Sequence, residues 1–177
     1  MPVISVFGSS APQPGSADYE LARQMGELLA EAGYTVQTGG YSGVMEAASK
    51  GASEAGGRVI GVTCRQIEAF RHMPANAWVA KEIKLDTLSE RLNYLVTQSD
   101  GAIVMPGGIG TLSELALMWS LMQVGEISPR PLIAVGGLWA RTLNAFVSTE
   151  YIAPEYISLI QTAKTPKEAI DMLRRDQ

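Results

Sequence analysis

The chain has 177 residues, of which 46% are hydrophobic and 18% charged, a composition typical of one globular domain and not of a disordered protein. Its net charge of −4 argues against the basic surface that a nucleic-acid polymer requires, so any bound phosphate must be held locally. The single cysteine, Cys64, excludes an internal disulfide and a cysteine-based zinc site.

The first residues carry no sign of a targeting segment. No basic residue precedes the short apolar run that ends at Gly8, which is unlike a signal peptide. No apolar run approaches the length of a transmembrane helix. Together with the lone cysteine, these features predict a cytoplasmic protein that has no contact with a membrane.

Short apolar strands alternate with longer helical segments from the start of the chain. This pattern predicts a Rossmann-like three-layer sandwich, a mainly parallel sheet flanked by helices in the α/β class. Residues 63–77 have no clear periodicity, and they predict a mobile loop near a site. The other elements predicted in this half are a strand over 3–7, a helix over 17–32, a strand over 34–38, a helix ending near 55 and a strand over 59–62.

The second half continues the alternation. A short edge strand near 78–83 precedes a helix over 88–99, which Thr87 and Glu90 begin as a capping box. No repeat or linker divides the chain, so residues 1–177 are expected to form a single nucleotide-binding domain. The remaining predicted elements are a strand over 102–105, a helix over 111–124, a strand over 132–135, a helix over 139–147, a strand over 157–161 and a final helix from 165.

Three of the predicted strands end in glycine-rich turns. Parallel strands bring such turns to one edge of the sheet, where the following helices direct free N–H groups at an anion. One such turn could serve only as a tight connection, but three in one chain favour a phosphate site. The turns contain Gly8 and Ser9 after the first strand, Gly39, Gly40 and Gly43 after the second, and Gly107, Gly108 and Gly110 after the fifth.

Two common nucleotide motifs are absent from the sequence. There is no G-x-x-x-x-G-K-[ST] P-loop, and the G-x-G-x-x-G dinucleotide pattern also fails. The second strand ends in Gln37-Thr38, without the acidic residue that binds a ribose of NAD. Because His72 is the only histidine, a histidine-based metal site is not expected either. We therefore expect neither a cofactor nor a metal.

Two charged residues stand out near the turns. Thr111 and Glu114 have the spacing of a capping box, in which Glu114 would bind the N–H of Thr111, and this is the commoner use of the pattern. Alternatively, Glu114 lies one helical turn from a bound phosphate, where its carboxylate could stabilise an oxocarbenium-like transition state and help to activate water. Arg91 borders the apolar face of its helix, so it either snorkels to a nearby carboxylate or has a functional role, which is to clamp a phosphate or to order the catalytic acid.

The helix that follows the third glycine turn is apolar almost all round. Such a helix is buried on two sides, either as an inner helix under the loops or as the seam of a dimer. Its apolar residues are Leu115, Leu117, Met118, Trp119, Leu121 and Met122.

Residues 105–114 carry the motif P-G-G-x-G-T-x-x-E. This motif resembles the signature of the Lonely Guy family, the cytokinin riboside 5′-monophosphate phosphoribohydrolases, formerly labelled "possible lysine decarboxylase". The similarity extends over most of the chain, to residues 39–45, 56–62, 91 and 123–125. The resemblance implies a Rossmann-like homodimer that hydrolyses the N-glycosidic bond of AMP-like or cytokinin nucleotides, releasing the base and ribose 5-phosphate.

The resemblance also implies roles for individual residues. Arg91 and Glu114 match the catalytic pair of the family. The phosphate-binding residues of the family match Gly107, Gly108, Gly110 and Thr111. We expect the remaining substrate contacts to come from Gly8, Ser9, Gly39, Gly40, Gly43 and Met45.

The sequence departs from the family pattern at two places. Leu92 stands where the family usually has a lysine after its arginine. The second glycine turn is one residue shorter, with Tyr41 in the loop and Glu46 in place of the last glycine. These features are similar to a sister branch that includes carriers of the molybdenum cofactor. A non-catalytic protein that binds or carries a nucleotide or the molybdenum cofactor is therefore the alternative prediction.

Overall fold

The computed structural model describes residues 1–148 and 150–175. Within these residues, seven strands form one sheet: β1 (Val3–Phe7), β2 (Thr35–Thr38), β3 (Val59–Cys64), β4 (Lys81–Leu85), β5 (Gly101–Val104), β6 (Leu132–Val135) and β7 (Gln161–Ala163). Their order is β4-β3-β2-β1-β5-β6-β7, and every neighbouring pair runs parallel. The sheet is thus entirely parallel, where the sequence predicted a mainly parallel one.

Helices cover both faces of the sheet. They are α1 (Ala17–Glu31), α2 (Val44–Glu54), α3 (Arg65–Arg71), α4 (Leu88–Thr97), α5 (Ile109–Gln123), α6 (Gly137–Phe146), α7 (Pro154–Ile157) and α8 (Pro166–Arg175). One buried cluster joins the sheet to α1, α2 and α8, and a second joins the opposite face to α4, α5 and α6. This arrangement confirms the predicted three-layer sandwich. None of the described helices combines the length and apolar composition that a bilayer crossing requires.

The strands alternate their side chains between the two clusters. In β5, Ile103 enters the cluster with α1, whereas Ala102 and Val104 enter the cluster with α4 and α5. Successive side chains of a strand point to opposite faces, so a strand covered on both sides favours apolar residues on both of them. This preference explains why strands such as β5 and β6 read as short apolar runs in the sequence.

A buried polar contact fixes α4 over the centre of the sheet. Ser5 of β1 donates its hydroxyl hydrogen to the carbonyl of Leu95 at 2.8 Å. Gln37 of β2 donates to the Ser5 Oγ at 2.8 Å and to the same Leu95 carbonyl at 3.3 Å. Buried polar groups require such partners, and this one places the helix that carries Arg91 in a defined register against β1 and β2.

The helix starts follow local capping chemistry. Ser16 caps α1 by accepting the N–H of Tyr19, and Thr87 and Glu90 form the predicted capping box of α4. At the start of α8, Thr165 accepts the N–H of Glu168 at 3.2 Å. These caps explain why most helix boundaries could be read from the sequence to within two residues.

The order of the strands creates a crevice between β1 and β5. The chain leaves β1 toward β2 on one side and later returns to β5 on the other side, so the connections after β1 and β5 diverge. Open parallel sheets bind ligands at such a switch point. The N–H of Ser9, just after β1, donates to the carbonyl of Pro106, just after β5, at 3.2 Å.

Two predicted segments are wrong. Residues 63–77 are not one loop, because Thr63 and Cys64 extend β3 and α3 follows directly. None of the residues of α3 is buried, so this helix has no apolar periodicity that the sequence could reveal. Residues 157–161 are not the last strand, because Pro154 begins the short helix α7 and the strand β7 starts only at Gln161.

Candidate active site

The three glycine turns meet at the carboxyl edge of the sheet. The carbonyl of Ser9, in the first turn, accepts the N–H of Val44, in the second, at 2.8 Å. Ser42 Oγ adds a bond to the carbonyl of Ser10 at 3.0 Å. With the bond from Ser9 to Pro106, these contacts join the first turn to both of the others, as the parallel topology predicts.

The third turn leaves the first N–H groups of α5 open to a ligand. Gly108 caps this helix and no side chain closes its end, so the N–H groups of Ile109, Gly110 and Thr111 have no partner within the helix. A Cβ on Gly108 or Gly110 would meet no atom within 4 Å, whereas a Cβ on Gly107 would collide with the Thr111 hydroxyl. The turn therefore offers open space in front of a helix N-terminus, a geometry that suits an anion.

A tryptophan that the sequence analysis missed supports this turn from behind. The indole N–H of Trp139, in α6, donates to the carbonyl of Met105 at 2.8 Å, and the ring is almost completely buried. Met105 directly precedes Pro106, so α6 fixes the end of β5 where the glycine turn begins. The sequence could not indicate this contact, because Trp139 resembles any other core residue of an apolar helix.

Arg91 points from α4 into the edge of the sheet and is only 5% exposed. Its Nε donates to the carbonyl of Val62, at the end of β3, at 2.7 Å, and its Nη2 donates to the carbonyl of Gly39, just after β2, at 3.1 Å. The guanidinium carbon also lies 5.5 Å from the centre of the Tyr41 ring. A Cβ on Gly39 would collide with Nη2, so a glycine is required there for the arginine to reach this position.

Glu114 faces Arg91 and does not cap its own helix. The capping-box prediction is wrong because Gly108 starts α5 two residues earlier than the sequence suggested, which moves Glu114 into the second turn. There it is 7% exposed, and its Oε1 lies 3.8 Å from the Nη1 of Arg91. The structure thus brings the two predicted charged residues together, one helical turn beyond the third glycine turn.

Burial changes the acidity of Glu114. Removal from water raises the pKa of this carboxyl from 4.5 to about 7, and the nearby charge of Arg91 opposes part of that rise. A carboxyl with this pKa exchanges its proton near neutral pH. Such a group, in a crevice beside a glycine turn with open N–H groups, is suited to accept a proton from water or to face a developing positive charge.

The other predicted substrate residues differ in their distance from this pair. Met45 lies next to Arg91, with its Sδ 3.8 Å from Nη2. Gly43, at a φ of 69°, packs against the backbone of the first turn. Gly40 instead packs against β3, because a Cβ placed on Gly40 would lie 2.8 Å from the methyl carbon of Thr63. Gly8 is half-buried directly ahead of Ser9.

The surface beside the site is apolar. Ile109, at the start of α5, is 80% exposed, and Leu112 is 41% exposed. Leu88, at the start of the neighbouring helix α4, is also exposed. The opposite side of α5 is buried through Leu115 and Met118, so the helix contacts the core on one side only in the isolated chain.

A protein-family model and a related protein both match most of the chain. The SLOG cluster4 family (LDcluster4) matches residues 1–139. The cytokinin riboside 5′-monophosphate phosphoribohydrolase of Mycobacterium tuberculosis is 30% identical over 174 residues, which cover 94% of this chain and 90% of that protein.

Two solved structures show the same fold over nearly the whole chain. The molybdenum cofactor binding protein of Rippkaea orientalis is 29% identical, with a TM-score of 0.77 and coverage of 98% of this chain and 96% of that chain. The molybdenum cofactor carrier protein of Chlamydomonas reinhardtii is 27% identical, with a TM-score of 0.73 and the same coverage of both chains.

Proposed function

Because the chain belongs to the SLOG cluster4 family and to that of the cytokinin riboside 5′-monophosphate phosphoribohydrolases, we propose that it hydrolyses the N-glycosidic bond of a purine nucleoside 5′-monophosphate. The substrates are AMP-like or cytokinin nucleotides, and the whole chain acts as one nucleotide-binding domain in the cytoplasm. The observation that carries this proposal is the buried pair of Arg91 and Glu114 next to the open N-terminus of α5.

The phosphate of the nucleotide binds at the third glycine turn. The N–H groups of Gly110 and Thr111, in the first turn of α5, point at it, and the open space in front of Gly108 admits its oxygens. The first turn, at Gly8 and Ser9, lines the opposite side of the crevice. With the phosphate held there, the ribose reaches the second turn of α5, where Glu114 lies.

Hydrolysis then proceeds by attack of water on the ribose. The C1′–N bond breaks with its electron pair leaving on the base, and positive charge develops on the ribose ring. The Glu114 carboxylate stabilises this charge and accepts a proton from the water whose oxygen bonds to C1′. The departing base takes up a proton, so the nucleotide and one water molecule together give the free base and ribose 5-phosphate. Arg91 keeps the carboxylate oriented and favours its ionised form.

The test is the release of free adenine from AMP, quantified by chromatography together with ribose 5-phosphate. We expect turnover by the unmodified protein and a loss of about 100-fold or more in Glu114→Gln, because positioned proton transfer contributes about that much. Glu126→Gln, an exposed glutamate beyond the other end of α5, is the matched control and should retain full activity. Complete inertness toward AMP, GMP and isopentenyl-AMP would overturn the hydrolase proposal.

The second candidate function is carriage of the molybdenum cofactor or of a related nucleotide ligand without turnover. The similarity to the two molybdenum cofactor proteins favours it, as does the combination of Leu92 and Tyr41 in this chain. A calorimetric titration with AMP separates the two functions when combined with the adenine assay. Binding of AMP with no release of adenine would favour the carrier, whereas release of adenine would exclude a purely binding role.

We also propose that the protein works as a homodimer whose interface includes the outer side of α5. Ile109 and Leu112 of α5 and Leu88 of the neighbouring helix α4 are large exposed apolar side chains that a second copy would cover. Sedimentation velocity should give twice the chain mass for the unmodified protein and one chain mass for Leu112→Asp. Tyr151→Asp, a similar change at an exposed aromatic residue elsewhere, should remain dimeric. A monomeric unmodified protein would contradict this proposal.

A further inference from the structure

Arg71, the last residue of α3, reaches across the carboxyl edge of the sheet to the first glycine turn. Its Nη1 donates to the hydroxyl oxygen of Ser10 at 2.9 Å. Ser10 directly follows Ser9, whose N–H donates to the carbonyl of Pro106. The carbonyl of Ser10 accepts the hydroxyl hydrogen of Ser42. The guanidinium of Arg71 therefore lies against the first glycine turn, which is itself hydrogen-bonded to the other two.

No carboxylate among residues 1–148 and 150–175 lies within ion-pair distance of Arg71. Glu68, one turn earlier in α3, binds Lys84 at 3.0 Å instead. His72 ends the helix in a left-handed conformation with a φ of 50°, and its N–H bonds back to the carbonyl of Glu68 at 2.7 Å. The chain thus turns away directly after Arg71, and among the described residues this cation has a neutral hydroxyl as its side-chain partner.

The N–H donors of Arg91 are engaged inside the protein. Its Nε and Nη2 are already bonded to main-chain carbonyls, and its Nη1 faces Glu114. An arginine binds phosphate best through two parallel N–H bonds, and the buried guanidinium has no free pair of donors for that contact. A second cation with free donors would therefore add to the binding of a dianionic phosphate at α5.

We propose that Arg71 is that cation and binds the phosphate of the ligand held at the start of α5. This inference rests on the proposed phosphate site and adds to it a residue from α3. A phosphate oxygen replaces the Ser10 hydroxyl as acceptor, because a hydrogen bond to a charged acceptor is about twice as strong as one to a neutral acceptor. None of the residues of α3 is buried, so the adjustment disturbs no part of the core.

The test measures binding of two ligands that differ in phosphate. Titration calorimetry with ribose 5-phosphate and with adenosine compares the unmodified protein, Arg71→Gln and Arg65→Gln. Arg65 is the matched control, since it lies on the same exposed helix but pairs with Asp86 at 2.8 Å. We expect Arg71→Gln to weaken ribose 5-phosphate binding about tenfold and to leave adenosine binding within about twofold. Arg65→Gln should leave the affinity for both ligands unchanged.

Three outcomes would overturn the inference, and a fourth bears on the hydrolase alone. Unchanged ribose 5-phosphate affinity in Arg71→Gln would show that this cation does not contact the phosphate. Equal weakening in Arg65→Gln would indicate only a general charge effect. An unmodified protein that binds no ribose 5-phosphate would overturn both this inference and the phosphate site. An unmodified protein that binds ribose 5-phosphate but releases no adenine from AMP would contradict the hydrolase proposal alone. The affinities of Arg71→Gln and Arg65→Gln for ribose 5-phosphate would still test the role of Arg71.

Discussion

Replacement of Glu114 by glutamine should change how the stability of the fold depends on pH. A rise of its pKa from 4.5 to about 7 means that the folded protein keeps a proton that the unfolded chain releases between these two pH values. Stability therefore falls as the pH rises through this window and stays lower above it. The rise corresponds to about 3 kcal/mol of unfolding free energy. Glutamine has nearly the shape of the protonated acid and does not ionise, so Glu114→Gln avoids this loss.

The measurement is urea denaturation of both proteins at about pH 5 and about pH 8. At the lower pH, where the folded carboxyl is protonated, the two proteins should differ by less than about 1 kcal/mol. At the higher pH, Glu114→Gln should be the more stable protein by about 3 kcal/mol. Taking the difference between the two proteins at each pH cancels the titration of all carboxyl groups that they share.

A difference that stays constant between the two pH values would refute the reasoning, because it would mean that Glu114 ionises alike in the folded and unfolded states. Lower stability of Glu114→Gln at the higher pH would refute it more directly, since the ion pair with Arg91 would then outweigh the burial of the carboxylate. Glu126→Gln serves as the control, because this exposed side chain should give no pH-dependent difference.

Three further predictions concern the same site. The kcat/KM for AMP should rise with pH through about 7, since Glu114 must be ionised to act, and a profile that is flat from about pH 5.5 to 8.5 would contradict its role. Arg91→Gln should lower the unfolding free energy by about 3 kcal/mol in urea denaturation, because the carbonyls of Val62 and Gly39 lose a buried donor; a change below about 1 kcal/mol would contradict this. Gly110→Ala should raise the unfolding free energy by about 0.5 kcal/mol, because alanine suits a helix better than glycine and its methyl group meets no other atom. The same methyl group should weaken ribose 5-phosphate binding several-fold, because it occupies the open space at the start of the helix. A decrease in both the unfolding free energy and the affinity would speak against that geometry.

Much of the fold follows from the sequence because its signals are local. The strands covered on both faces are mostly apolar, and helices such as α1 and α4 begin at the side chains of Ser16 and Thr87, which bind their first N–H groups. The exceptions lack such signals. The helix α3 lies on the surface with no buried residue, and the strand β7 has only three residues at the edge of the sheet.

The candidate site was predictable only as a region. The spacing of the glycine turns indicated where three strand ends meet, but the partners of Arg91 are main-chain carbonyls, which leave no trace in the sequence. The orientation of Glu114 depended on where α5 begins, and a glycine cap such as Gly108 gives a weaker signal than the capping box that the sequence also contains. The contact from Arg71 to Ser10 spans 61 positions of the chain and depends on a helix that was not predicted.

The two main-chain bonds of Arg91 connect the acid of the site to the backbone of β2 and β3. A ligand that shifts the turn after β2 would move the guanidinium of Arg91. Its positive charge, which lowers the pKa of Glu114, would move with it. Thermodynamic reciprocity then requires the converse, that the protonation state of this acid alters how tightly the turn accepts a ligand. We therefore expect occupancy of the crevice and uptake of a hydrogen ion to be linked through this one side chain.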